Sequence, residues 1–337
     1  MCAEALYTAG TGAFFGAGLT ASRVHLPSVI IDQFQLTDFH MFHVFAAATG
    51  SSAAIMLALD KSGIIGRPVR SNTPLGRFSA YDGNILGGLM VGVGMALSGA
   101  CPGTVLVQLA QGISSAKSTA LGALLGGGTY VRFLHLIKKE SPQEGTKAAV
   151  LSKQTISDKL EISEAVSYVF LGAAVTAILC LTGTRAGSFP ISPIAGGLLI
   201  GLAQAASLLL TSGPLGVSTV YEQTSRYFLR ALGNERVGKL SWPPNAIIFA
   251  LGVVAGSTAL VKQGSLPDVS ARGLQIPTWQ AFVGGFVMAF GARLGRGCTS
   301  GHGLSGLSAM SFSSLVAVIG MFGAGIVTRL LMKALDV

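Results

Sequence analysis

Long apolar runs, broken by glycine and almost free of charge, leave this chain one solvent in which to fold. A run of about 17–25 mostly apolar residues is what an α-helix needs to cross a ~30 Å hydrocarbon core. Nine such runs occur, at about 5–21, 39–59, 83–97, 118–137, 164–181, 191–210, 245–261, 278–294 and 311–331. Backbone in hydrocarbon must satisfy its own hydrogen bonds, so these runs are expected to be helices. The chain is 50% hydrophobic and only 11% charged, against about 25% charged in a soluble domain. That is too little charge to coat a folded soluble protein of this size. Glycine, at 46 of 337 residues, is roughly twice its usual share, and small residues let membrane helices approach closely. The expected fold class is an all-α polytopic membrane protein. Disorder, a coiled coil, a disulfide scaffold and an ordinary cytosolic enzyme are excluded.

The formal net charge of +9 does not point to nucleic acid. The Lys and Arg residues form no basic stripe but sit in the polar gaps between the apolar runs, where topology signals belong. With the N-terminus inside, the 60–82, 137–163 and 211–244 loops are cytoplasmic and hold 4, 5 and 4 Lys or Arg. The start, Met1-Cys2-Ala3-Glu4-Ala5, lacks the basic flank of a cleaved signal, so the first run is expected to stay as a helix. The expected location is the plasma membrane, with the lipid bilayer as the surrounding partner.

Two segments interrupt the apolar pattern in the same way. Ser98-Gly99-Ala100-Cys101-Pro102-Gly103 follows the third run, and Gly295-Arg296-Gly297-Cys298-Thr299-Ser300-Gly301-His302-Gly303 follows the eighth. An offset of 197 superimposes Gly87 on Gly284, Gly88 on Gly285, Gly94 on Gly291, Leu97 on Leu294 and Cys101 on Cys298. The chain therefore divides into an N-terminal repeat (1–137), a polar linker (138–163), a connecting helix (164–190) and a C-terminal repeat (191–337). Four spans on each side of one connector give the repeats opposite membrane orientation. Inverted repeats place a site near the bilayer midplane, built from broken helices. The segment 217–231 is amphipathic and is expected at the interface or partly inserted.

Non-helical backbone at membrane depth occurs only where protein buries it or a cavity faces it. Pro102 cannot sit inside a helix, and Gly99, Gly103, Gly297, Gly301 and Gly303 favour breaks. Both cysteine segments are thus expected to be re-entrant turns, with half-helices resuming near Thr104 and Leu304. Half-helix N-termini suit an anion. Cys101 and Cys298 are the foremost candidates to touch a ligand. A thiol in an apolar setting stays protonated, and is then a weak donor and a soft, polarisable contact. Such a contact suits a sulfur atom better than a hard oxyanion. Arg296, beside Cys298, is a candidate for anion attraction, while Arg293 serves equally as an interfacial anchor. Thr104, Thr299 and Ser300 either donate hydroxyl hydrogen bonds to an anion or cap the half-helices. His302 stands alone and is expected to be structural, and Cys180, in mid-span, to be a small hydrophobe. No nucleotide-binding or protease pattern is present, and no metal or cofactor site is expected.

The two cysteine segments resemble the signatures of the YeeE/YedE sulfur-transport family. Gly291-Ala292-Arg293-Leu294, Phe15-Gly16-Ala17-Gly18-Leu19 and Pro27-Ser28-Val29-Ile30 are similar to further parts of its members, and 193–210 resembles the opening of one half-length type. The chain looks like a fusion of both half-length types. The resemblance implies uptake of thiosulfate or a related sulfur anion through an hourglass-shaped inverted repeat, the ion being passed along by S–H contacts from embedded cysteines. By motif match, Cys101 and Cys298 carry that role, with Gly99, Pro102, Gly103, Gly297 and Gly301 letting the backbone approach the ion. Single-chain members commonly have a further cysteine in the first broken segment. Here none lies between Cys2 and Cys101, and Ser22 occupies the corresponding region. Three rivals differ in chemistry: a neutral-solute channel, a membrane-embedded sulfurtransferase that forms a cysteine persulfide, and a membrane subunit for a soluble sulfur-handling protein.

Overall fold

The computed structural model describes residues 2–139, 154–183, 189–234, 237, 240–263 and 274–335. Within them the chain forms α1 (Cys2–Ala21), α2 (Pro27–Phe34), α3 (His40–Lys61), α4 (Asp82–Ser98), α5 (Thr104–Ala110), α6 (Ala116–Lys139) and α7 (Ile156–Leu160). It continues with α8 (Glu164–Leu181), α9 (Pro193–Thr211), α10 (Thr219–Ala231), α11 (Asn245–Lys262) and α12 (Thr278–Leu294). A π-helical segment, Thr299–Gly306, precedes α13 (Phe312–Ala334). No strand occurs among the described residues. Each of the nine apolar runs is helical, and α3, α8, α9, α11 and α13 are long and apolar enough to cross a membrane by that measure alone. The protein is an integral, multi-pass, all-α membrane protein.

Glycine decides which helices touch. A β-carbon on Gly88 or Gly92 of α4 would run into the main chain of α13 at Ala317 and Met321. One on Gly122 or Gly126 of α6 would strike α12 at Phe282 and Phe286, and one on Gly12 or Gly16 of α1 would strike α11 at Phe249 and Val253. Numbering rises together on both sides of each contact, so these pairs run parallel. The repeat-equivalent helices behave differently: Gly87 of α4 lies against Gly291 of α12, while Gly94 lies against Gly284. Here numbering rises on one side as it falls on the other, so α4 and α12 are antiparallel. The glycines equated by the sequence offset thus meet crosswise. The rest of the packing repeats under the same exchange: α1 on α11 matches α9 on α3, and α6 on α12 matches α13 on α4.

The connecting helix α8 stands apart, with only Ser167 buried. It touches α3 and α7, and Glu164 at its start pairs with Arg67 (2.5 Å) and Lys61 (3.4 Å). Part of the expected polar linker, residues 140–153, lies outside the described residues. Its end is anchored rather than free. Ile156 N–H donates to Met310 O (2.7 Å) and Phe312 N–H to Gln154 O (3.1 Å). α7 opens with a capping box between Thr155 and Asp158, and those hydrogen bonds hold the Asp158 carboxyl below the usual carboxylate range.

One sequence expectation changes and another gains detail. In the amphipathic segment 217–231, α10 packs on α6, α11 and α12 and buries Val220, Tyr221, Glu222, Gln223 and Ser225. Its periodicity reflects a polar face turned partly inward. The second half-helix begins at Thr299 rather than Leu304, and it is π-helical. Gly301, Gly303 and Gly306 lie inside it, and glycine tolerates its wider turn.

Candidate functional site

The two breaks share their geometry. α4 ends where Gly99 takes φ +58°, and α12 ends two residues before Arg296, which takes the same φ +58°. The offset of 197 equates these two positions. Glycine adopts this left-handed conformation freely, whereas arginine is strained there by about 1 kcal/mol. Arg296→Gly is therefore expected to leave thermal stability unchanged or raise it slightly. A fall in melting temperature would show instead that the side chain itself holds the turn.

Each break is braced from inside the bundle. The Gln108 side-chain amide donates to Gly99 O (2.9 Å) and His25 O (2.7 Å), which ties α5 back to the turn it leaves. In the second break His302 is buried with both ring nitrogens engaged, Nε2 on Gly295 O (2.9 Å) and Nδ1 on the Ser314 hydroxyl (2.9 Å). A carbonyl partner requires Nε2 to carry the proton, so Nδ1 accepts from Ser314. Both ring nitrogens of His302 are thus taken up by the protein itself.

Between the breaks lies a cavity of about 40 Å³. Cys101, Gly103 and Thr104 line it from one side, Thr299, Ser300 and Leu304 from the other, and Phe15, Met41, Val44 and Phe45 close it. The wall is apolar apart from those hydroxyls and the thiol. Cys101 N–H donates to Thr104 Oγ1 (2.7 Å), and Thr104 N–H donates to Cys101 Sγ (3.4 Å). The sulfur therefore caps α5.

Cys298 is fully buried and lies behind Ser300, whose hydroxyl is 3.3 Å from Sγ. The surroundings of Cys298 thus include a hydroxyl as well as the apolar setting expected from sequence. Tyr221 braces the first turn from α10: its hydroxyl donates to Pro102 O (2.7 Å).

The remaining candidates fall outside the cavity wall. Gly297 lies flat against the His302 ring, and Gly301 against the Arg70 guanidinium. The Arg296 side chain is exposed, and the residue contributes its carbonyl, which accepts from Arg70 Nη1 (3.0 Å). Arg293 pairs with the buried Glu222, which also binds Arg226 (2.8 Å). Cys180 is exposed on α8. Among the described residues no cluster of His, Cys, Asp and Glu could hold a metal ion.

Sequence reasoning missed Arg70 and Tyr221. Arg70 sits in a loop whose basic residues read as topology signals. Tyr221 sits at the start of α10, where the aromatic among buried-face polar residues was the one available signal.

Comparisons place this geometry among known proteins. A family model described as sulphur transport matches residues 21–328. A protein named thiosulfate transporter TsuA, from Spirochaeta thermophila, is 24% identical over 326 residues, covering 91% of this chain and 93% of that protein. Proteins named probable transporter from two strains of Xylella fastidiosa are each 32% identical over 142 residues, covering 42% of this chain and 93% of their own length.

Proposed function

Because this chain belongs to the sulphur-transport family, we propose that it carries thiosulfate, or a closely related small sulfur-containing anion, across the membrane. The observation that carries this reading is the cavity shared by the two breaks, with Cys101 and Thr104 on one wall and Thr299 and Ser300 on the other. A small anion there loses most of its water. Sulfate, with charge spread over four hard oxygens, needs donors that this wall does not supply. A sulfane sulfur is soft and weakly hydrated, and meets Cys101 by dispersion and a weak S–H contact.

The architecture for this path is nine spans in two inverted repeats, 1–137 and 191–337, with the 164–190 helix as connector. The antiparallel crossing of α4 and α12 supports it. Gly99, Pro102, Gly103, Gly297 and Gly301 shape the two re-entrant turns. Cys298, behind Ser300, is the next soft contact once the ion passes the constriction. Transport is passive or ion-coupled, in the plasma membrane, with no chemical step.

Labelled-thiosulfate uptake into proteoliposomes tests the reading. We expect saturable uptake that excess unlabelled thiosulfate blocks and excess sulfate does not. Absence of uptake by monodisperse, well-folded protein would overturn it.

The Ser300 hydroxyl, 3.3 Å from the buried Cys298 Sγ, favours one second reading, a sulfurtransferase. Its thiolate would attack the sulfane sulfur, forming a cysteine persulfide while the S–S bond breaks and sulfite leaves with the electron pair. Intact mass after thiosulfate exposure decides: a gain of one sulfur atom on Cys298 supports transfer, and an unchanged mass supports transport alone.

A further inference from the structure

We propose that Arg70 forms an anion-binding station on the Cys298 side of the path, where a small oxyanion is held before or after it meets the cavity. The identity of that anion rests on the transport reading above; the station itself does not.

Arg70 lies in the loop between α3 and α4, and its main chain is fixed at both ends of the residue. Its N–H donates to the Ser311 hydroxyl (2.8 Å), and its carbonyl accepts from the Ser313 hydroxyl (3.0 Å). From this anchor the side chain reaches the second break. One guanidinium nitrogen, Nη1, donates to Arg296 O. The other, Nη2, sits 3.2 Å from where a β-carbon on Gly301 would be, and 3.8 Å from that of Gly216. Both residues lack the atom that would cover it. Nε is buried without a hydrogen-bond partner. Among the described residues no carboxylate forms an ion pair with Arg70.

A cation taken from water is ordinarily paired or hydrogen-bonded throughout. Among the described residues Arg70 has no acidic partner and its Nε is unsatisfied, whereas Arg293, whose Nε is likewise unsatisfied, pairs with Glu222. The geometry leaves the guanidinium fork open to a ligand of opposite charge, and that fork matches the oxygens of an oxyanion. At the other break the left-handed residue, Gly99, is covered by Ile276 and Pro27.

The test reads local potential directly. Gly216 is exposed, so G216C in a Cys2→Ser, Cys180→Ser background places a reactive thiol beside Nη2. The rates of labelling by an anionic and a cationic methanethiosulfonate are compared with Arg70 intact and in Arg70→Met. We expect the anionic-to-cationic ratio to fall about tenfold on losing the charge, and Arg70→Lys to restore much of it. An unchanged ratio overturns the station. In uptake assays, Arg70→Met is expected to raise KM for thiosulfate about tenfold with the maximal rate largely kept. A purely structural role would lower the maximal rate and leave KM unchanged, and that result also overturns the proposal. If wild type takes up no thiosulfate yet the labelling ratio shifts, the station stands and the thiosulfate reading falls.

Discussion

Replacing Cys101 or Cys298 by serine is expected to lower thiosulfate uptake by about tenfold or more, the equivalent of losing one contact of ~1.4 kcal/mol at the top of the barrier. Cys180→Ser is expected to leave uptake unchanged, because Cys180 is exposed on α8, away from both breaks. Serine suits the local hydrogen bonds. Thr104 N–H would donate to its oxygen as it does to Cys101 Sγ, and Ser300 would bond it in place of Cys298 Sγ. The fold should therefore survive, and the change isolates softness from shape. An oxygen is smaller, less polarisable and more tightly hydrated than sulfur, so it opens a gap in the wall and favours water over a sulfane sulfur. Initial rates in proteoliposomes, normalised to reconstituted protein, check the result. Rates equal to wild type in both variants would remove the cysteines from the path.

The largest effect on stability is expected from Gly92→Leu. A β-carbon at Gly92 would meet the Met321 carbonyl oxygen and lie 3.0 Å from Gly325 N, both main-chain atoms of α13. A flexible side chain could turn aside, but a helix backbone moves only as a unit. Overpacking a well-packed site costs about 1–3 kcal/mol, and here α4 must separate from α13 along its length. We expect the apparent melting temperature to fall by about 4 °C, or monodisperse protein to be lost. Gly323→Leu is the control. It lies on the same helix α13, with nothing within 4 Å of its added carbon, and should behave as wild type. Equal melting temperatures for the two variants would refute close backbone packing of α4 on α13.

Much of this organisation was visible before any coordinates. The nine runs are helices because length and hydropathy in a bilayer permit little else. Cys101 and Cys298 mark two helix breaks because Gly99, Pro102 and Gly297 cannot continue a helix comfortably. The offset of 197 held in three dimensions, where Gly87 meets Gly291 and Gly94 meets Gly284. What stayed hidden was long-range. The reach of Arg70 from its loop to the second break spans 226 positions, and no local pattern encodes it. Tyr221 reaches Pro102 across 119 positions. Adjacency of Arg296 to Cys298 in the chain likewise did not aim its side chain, which is exposed.

Residue order alone was enough to establish the class of solvent, the helical elements, the twofold repeat and the positions of the two breaks. Each follows from short-range physics, namely the transfer of apolar runs into hydrocarbon and the conformational limits of glycine and proline. The tertiary structure alone decided which groups face the sulfur atoms, that Arg70 reaches the second break, and that α10 packs against α6, α11 and α12. Those depend on which glycines let two backbones touch, because the side chains around the path are placed only once α4, α12 and α13 have locked together.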